Sequence, residues 1–279
     1  MKKYIKLCRV KHYIKNGLIF LPLLFVKKMF SSEIINVIYG AIAFCLMSSV
    51  VYIINDIMDA SKDCLHPIKK HRPIASKEIT KKTALFLALL LFIISLLFNY
   101  LAVGSTFFTY FLLLFYLIMN LGYSFGIKSL VLMDVLFLVL GFIIRVYYGA
   151  SIINVNVSNW LYLTIMSGAF FFAFGKRRNE ILKTNGETRQ VLKMYNKDFL
   201  DKNIYMFLSL TITFYSLWAI VQNIQYLIVT IPLMIIILLR YTMIIEGDSY
   251  GDPTDVLLND RFLMILLVLF GIIMLCLMR

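Results

Sequence analysis

The sequence predicts an all-α polytopic membrane protein with nine transmembrane helices. Three observations carry this reading. First, 61% of the 279 residues are hydrophobic and only 15% are charged, against about 25% charged in ordinary soluble domains. Second, runs approaching or exceeding 18 apolar residues, the length a lipid-spanning helix needs, recur along the chain. Third, the basic residues cluster on every second connection between those runs.

Each span follows from its own apolar core. Eight lie at 36–55, 83–101, 103–121, 130–151, 161–174, 204–221, 226–239 and 262–278. A ninth, at 14–30, is the weakest: its unbroken apolar stretch is short, and Lys27 and Lys28 must snorkel toward the interface. It reads as a span rather than a removable signal because no small-x-small cleavage site follows it. Of the 28 Lys and Arg residues, 24 fall in five clusters: before Asn16, between Asp56 and Thr83, at Lys128, between Lys176 and Asn203, and around the 246–260 loop. Nine spans put all five on one side. The positive-inside rule then makes that side, with the N-terminus and the long polar loops, cytoplasmic and leaves the C-terminus outside. The expected organisation is one transmembrane domain over 1–279.

Charge and cysteine content narrow the function. A net charge of +13 on a membrane protein points to anionic lipid heads or phosphorylated substrates. Aromatic–basic interleaving of the kind a nucleic-acid groove needs is missing, so no nucleic-acid partner is expected. Cys8, Cys45, Cys64 and Cys276 have no paired spacing and read as free thiols.

The strongest chemical signal is Asn55-Asp56-Ile57-Met58-Asp59-Ala60-Ser61-Lys62-Asp63. At 100° per residue, Asn55, Asp56, Asp59 and Asp63 fall at about 0°, 100°, 40° and 80°, one arc of a helix end. A solvated helix terminus is the plain alternative. Carboxylates this close repel one another unless a cation sits between them, and the negative end of the helix dipole favours that cation. An oxygen-only ligand set points to Mg²⁺, with substrate phosphates completing its shell. The loop at 66–76 follows with its own cations, of which Arg72, before Pro73, is the best candidate contact. Arg145 lies too deep in its span to be an anchor; it either meets an anion in a polar cavity or belongs to a structural ion pair. Asp134 reads either as a helix-end residue or as a metal or substrate ligand. Lys176, Arg177 and Arg178 form either an anchor or a polyphosphate clamp. Asp260 reads as a helix cap; Asp252 and Asp255 have no such account.

The motif Asn-Asp-x-x-Asp-x-x-x-Asp at the end of the second of nine helices resembles the UbiA superfamily of intramembrane prenyltransferases. The likeness extends through 66–76 and through Tyr123 to Lys128, a Tyr-Ser-x-x-x-Lys element. Segments 9–16, 175–180, 188–192 and 252–261 resemble one branch, the decaprenyl-phosphate phosphoribosyltransferases. The loop after the sixth span is basic where prenyltransferases of aromatic acceptors carry a second Asp-x-x-x-Asp motif.

The resemblance implies a UbiA-like bundle with cytoplasmic active-site loops in the plasma (inner) membrane. It implies Mg²⁺-dependent transfer of a phosphoribosyl group from 5-phosphoribosyl diphosphate to a polyprenyl phosphate lipid, making a lipid-linked precursor for the cell envelope. Asn55, Asp56, Asp59 and Asp63 would hold Mg²⁺. Arg72 and Lys128 would neutralise the leaving diphosphate, and Arg145 with Lys176–Arg178 the other phosphates. Lys15, Asn16 and Tyr123 would complete the substrate contacts. Asp134 would join Asp56 and Asp59 as a catalytic group, stabilising oxocarbenium character on the ribose. Two alternatives stand beside this: prenyl transfer from a polyprenyl diphosphate to an aromatic or other small acceptor, and a transporter. The transporter is disfavoured because it predicts charges near mid-membrane, where Arg145 is the one found, and no internal repeat is evident.

Overall fold

The computed structural model describes residues 2–26, 29, 31–64, 69–184, 190–247 and 253–278. Among them the structure is all-helical: α1 Lys2–Cys8, α2 Leu21–Phe25, α3 Glu33–Asp63, α4 Lys81–Val103, α5 Phe107–Phe125, α6 Met133–Ile152, α7 Asn159–Thr184, α8 Lys197–Val221, α9 Thr230–Glu246, α10 Pro253–Asn259 and α11 Arg261–Leu277, joined by short 3₁₀ turns and one longer 3₁₀ segment, Val10–Phe20. In lipid no water satisfies a free backbone amide, so apolar runs must close their hydrogen bonds internally.

Among the described residues, six helices are long and apolar enough to cross a membrane: Glu33–Ser61, Lys81–Val103, Phe107–Phe125, Met133–Ile152, Lys197–Val221 and Leu227–Glu246. The pair α10 and α11, bent by 95°, makes a seventh if it is one span. The expected count of nine is therefore not reached among the described residues. Beyond the bent pair, two places account for the difference. The weak first span is a 3₁₀ segment followed by the five-residue α2. The 26 residues of α7 begin with Asn159 and include the charged 176–180 run in their C-terminal third, which dilutes its apolar character.

The chain divides into two compact units, and α6 contributes to both. Unit one comprises Met1–Leu21, Ser32–Ile127 and Ile144–Asn154. Its axis is α3, 31 residues long, against which α4, α5, α1 and the 3₁₀ segment pack. The buried positions of α4 are Ala84, Ala88, Ser95, Asn99 and Ala102. Small residues let backbones approach closely, which is how helices adhere when lipid removes the hydrophobic drive. Ser95 Oγ donates to the Ala43 carbonyl at 2.7 Å. Asn99 donates to Thr109 at 3.3 Å and accepts from Tyr148 at 2.7 Å, tying α4, α5 and α6 together. The opposite face of α4 carries Leu85, Phe86, Leu89, Ile93 and Leu97, all exposed, as a lipid-facing surface would be. The 3₁₀ segment lies backbone to backbone on α6: a Cβ on Gly149 would stand 2.1 Å from the Ile19 carbonyl oxygen.

Unit two comprises Pro22–Ser31, Lys128–Ile143 and Val155–Arg279. Here α7 packs along α8, and α9 packs on α8 and α11. Phe171, Phe174, Leu200, Ile204, Leu208, Tyr241 and Ile245 form its main core, with Phe170 stacked on Phe207 at 4.6 Å between centroids. Trp218 centres a second cluster with Tyr215, Leu227 and Met274. Asn196 caps α8 through the Asp198 amide at 2.9 Å. Asp260 caps α11 through the Leu263 amide at 2.6 Å, as expected, and also accepts from Arg240 at 2.6 Å.

Candidate functional site

One face of α3 is polar along most of its length. Cys45, Ser48, Ser49, Tyr52, Asp56, Asp59 and Asp63 recur at spacings of three and four, which a helix stacks into a stripe. The N-terminal segment runs along it. Asn16 Nδ2 donates to Cys45 Sγ at 3.2 Å and Ser48 Oγ at 3.5 Å. The hydroxyls of Tyr13 and Ser49 meet at 2.7 Å, and Ser49 donates to the Cys8 carbonyl at 3.0 Å. His12 lies against Tyr52, ring centroids 5.4 Å apart. Arg9 closes the stripe at its carboxylate end.

At that end, Asp56 and Asp63 are buried, at 2% and 3% exposure. Asp56 Oδ1 accepts from Arg9 Nη2 at 2.5 Å and from Arg72 Nη1 at 3.1 Å. The same Arg72 nitrogen reaches Asp63 Oδ2 at 2.6 Å. Arg72 is delivered by a folded loop: its amide donates to Lys69 O at 2.9 Å, its carbonyl accepts from Ser76 N at 2.8 Å, and Ile79 N closes onto Pro73 O at 3.0 Å. Ile74, Ala75 and Ile79 are buried beneath it. Lys6 holds the loop from outside through the His71 carbonyl, at 2.6 Å. Arg9 takes a left-handed φ of 51°, uncommon for a residue with a side chain, and its guanidinium lies 4.8 Å from the Tyr52 ring centre.

The expected metal set was Asn55, Asp56, Asp59 and Asp63. Oxygens of Asp56 and Asp63, two turns apart, converge on one guanidinium nitrogen. The carboxylate oxygens suit a hard divalent cation, which takes one or two carboxylates plus substrate phosphates; here their point of convergence is held by Arg72. Among the described residues no three His, Cys, Asp or Glu close on one point. Asp59 is half-buried on the same face. Asn55 Oδ1 accepts from Ser124 Oγ at 3.0 Å, joining α3 to α5. Tyr123, next to Ser124, is half-buried, and so is Lys128 in the 3₁₀ turn Ile127–Ser129.

Arg145 sits deeper in unit one, at 6% exposure. Its Nε donates to Asn16 Oδ1 at 2.7 Å and its Nη2 to the Tyr116 hydroxyl at 3.1 Å. Its guanidinium lies 5.3 Å from the Phe44 ring centre and 5.1 Å from that of Tyr116. Ser48, which Asn16 also meets, precedes Asp56 by eight residues, or about 12 Å of helix rise. Arg145 is thus enclosed by an amide, a phenol and aromatic faces, well below the carboxylates. Lys15 is half-buried beside Asn16.

In unit two, Asp134 and Arg177 are both 0% exposed and form an ion pair, Oδ2 to Nε, at 2.5 Å. Tyr195 donates to Asp134 Oδ1 at 2.6 Å and accepts from the Leu132 amide at 2.8 Å. Arg177 also pairs with Glu180 at 2.6 Å. Arg178 donates to Asp201 at 2.5 Å and to the Ile245 carbonyl at 2.8 Å. Of the three cations expected as a phosphate clamp, two are therefore held by internal carboxylates, and Lys176 is half-buried. Burial first, and then the bond to Asp134, push the Tyr195 phenol above its ordinary pKa.

Sequence reasoning missed Arg9, Ser124 and Tyr195 as members of these clusters. Arg9 and Ser124 lay inside recognised motifs, but only packing shows which of the motif residues point at the carboxylates and at Asn55. Asp255 is exposed in the first turn of α10. His66, Thr188, Arg189 and Asp252 lie outside the described residues, as do Lys27 and Lys28.

The chain is similar to known proteins along nearly its whole length. The UbiA prenyltransferase family model matches residues 18–267. The decaprenyl-phosphate phosphoribosyltransferase of Mycolicibacterium smegmatis is 29% identical over 282 residues, covering 94% of this chain and 88% of that protein. The protein of the same name from Corynebacterium glutamicum is 30% identical over 275 residues, covering 94% and 82%. A UbiA homolog from Archaeoglobus fulgidus, solved bound to GPP and Mg²⁺, superposes with a TM-score of 0.72 at 22% identity, covering 99% of this chain and 96% of that one; at that identity it shows the shared fold. The chain is a multi-pass membrane transferase and belongs to the UbiA prenyltransferase family.

Proposed function

We propose that this transferase moves a phosphoribosyl group from 5-phosphoribosyl diphosphate to a polyprenyl phosphate, releasing diphosphate, with Mg²⁺ as cofactor. The observation that carries the reading is the convergence of Asp56 and Asp63 on Arg72, with Arg9 on the same Asp56 oxygen. The reading takes these carboxylates as metal ligands and the guanidinia beside them as phosphate-seeking groups. The names of the relatives supply the choice of donor and acceptor.

Asn55, Asp56, Asp59 and Asp63 would hold Mg²⁺, which supplies positive charge against the departing diphosphate. Arg9 and Arg72 would donate to its oxygens, since guanidinium forks match phosphate geometry. The bond from C1 of the ribose to the diphosphate oxygen breaks and its electron pair leaves with the diphosphate. A lipid phosphate oxygen forms the new bond to C1. That oxygen is already anionic near neutral pH, so no general base is required. Arg145 takes a positioning role in this reading: by holding Asn16 it sets the N-terminal segment, and so Arg9, on α3. Asp134, enclosed by Arg177 and Tyr195, is assigned to the frame of unit two. The proposed setting is the plasma membrane with the N-terminus and α3 carboxylates cytoplasmic; a nine-span topology would require the N-terminal segment, α7 and the α10–α11 pair to cross as well.

The second reading, prenyl transfer to an aromatic or other small acceptor, is favoured by the A. fulgidus structure with GPP and Mg²⁺. One assay separates the two. Purified protein is given Mg²⁺, labelled phosphoribosyl diphosphate and a panel of polyprenyl phosphates, with geranylgeranyl diphosphate and aromatic acceptors in parallel. Label transferred to lipid phosphate supports the proposal. Transfer of the prenyl group, with phosphoribosyl diphosphate ignored, overturns it.

A further inference from the structure

Asp56 Oδ1 is a shared acceptor. Arg9, from the N-terminal segment, reaches it at 2.5 Å, and Arg72, from the loop after α3, reaches it at 3.1 Å while also holding Asp63 at 2.6 Å. Two separate stretches of chain bring positive charge to the carboxylates that the metal reading needs. The carboxylates are nearly buried, with side-chain exposures of 3% and 5%, whereas Arg9 and Arg72 retain 21% and 24%. The arginine side chains are therefore free on one side to turn toward an incoming anion.

We infer that Arg9 and Arg72 make cation binding at α3 conditional on diphosphate. This rests on the reading of α3 as a metal–diphosphate site and adds how its two ligands depend on each other. A divalent cation entering alone competes with two guanidinia for Asp56 and Asp63 and is repelled by both, in a site with little water to screen them. A diphosphate reverses the balance. Its oxygens offer the guanidinia a stronger bidentate partner, and the carboxylates pass to the cation. Cation and diphosphate then tighten each other's binding by the same factor, as linkage requires. The opposing reading is that the arginines orient the carboxylates and so support metal binding. It predicts the opposite sign when an arginine is neutralised.

The test uses purified full-length protein, Mn²⁺ as a paramagnetic probe followed by EPR, and inorganic pyrophosphate as the second ligand. In wild type, pyrophosphate should tighten Mn²⁺ binding by about 10-fold or more, within the usual range of coupling. In Arg9→Gln, Mn²⁺ alone should bind about 10-fold tighter than in wild type, and the gain from pyrophosphate should shrink by a similar factor. Arg72→Gln should shift both in the same direction and replaces Arg9→Gln if that variant does not fold. Bare Mn²⁺ affinity that is unchanged or weaker in the folded arginine variants overturns the inference. Asp56→Asn keeps the two levels apart. If it removes Mn²⁺ binding while the arginine variants behave as wild type, the metal site stands and only the coupling fails. If Asp56→Asn binds Mn²⁺ normally, the metal site itself fails and the inference goes with it.

Discussion

Arg145 donates to Asn16 at 2.7 Å across 129 residues of sequence. Its charge, costly inside a membrane, is met by neutral acceptors and aromatic faces rather than left toward lipid. The bond also ties α6 to the N-terminal segment, which carries Arg9. Arg145→Ala should therefore melt early. Losing hydrogen bonds from a charged donor costs about 1.5–3 kcal/mol, read by thermal or denaturant unfolding. Arg145→Lys should recover little, because an ammonium lacks the planar fork. A normal melting temperature combined with lost donor binding would instead place Arg145 on a substrate phosphate.

The α3 carboxylates carry the metal reading. Asp56→Asn and Asp59→Asn should each lower turnover on the order of 10²–10³-fold, as expected when one stabiliser of developing charge is removed. The protein should remain inserted and folded. EDTA should stop the reaction and added Mg²⁺ restore it. Full turnover in either variant, or in EDTA, would remove the metal from the mechanism.

The Asp134–Arg177 pair is fully buried, so each partner depends on the other. Arg177→Met alone should cost about 3–5 kcal/mol, because it strands a carboxylate without its counter-charge. Asp134→Leu combined with Arg177→Met should regain much of that loss, since an apolar pair needs no desolvation. Melting temperatures of the three proteins check the cycle. A double variant that is stable yet inactive would return Asp134 to the chemistry.

Tyr195 makes unit two sensitive to alkali. Burial and the bond to Asp134 raise its folded pKa, so the folded state holds this proton more tightly than the unfolded state. The stabilisation is complete below the unfolded value of about 10 and is lost as pH rises above it. Between about pH 10 and 12, wild type should therefore lose melting temperature faster than Tyr195→Phe, which has no phenol to ionise. Equal slopes for the two proteins would exclude the effect.

Gly149 tests the contact between α6 and the 3₁₀ segment. A Cβ there would meet the Ile19 carbonyl oxygen at 2.1 Å, and backbone cannot rotate away as a side chain can. Gly149→Ala should destabilise by about 1–3 kcal/mol, the range of overpacked cores. A variant as stable as wild type would mean that the segment can lift off α6.

The sequence by itself determined the helical class, the membrane setting and the carboxylate arc of α3. Each depends on local information: composition, apolar run length, and a helical period that places Asn55, Asp56, Asp59 and Asp63 together whatever surrounds them. It also brought Arg72 forward, as the cation directly before Pro73 in the loop that follows the carboxylates. Its nine spans stand beside the six, or seven with the bent pair, that helix length and composition support among the described residues, since charge alternation counts connections and does not reveal that Val10–Phe20 winds as a 3₁₀ segment. Tertiary structure alone decided the partners. Arg9 meets Asp56 across 47 residues, Tyr195 meets Asp134 across 61, and Arg145 meets Asn16 across 129. A helical repeat spans a few residues, whereas a buried cation takes whichever acceptor the packed helices bring within hydrogen-bond reach, and that choice is made only when they pack.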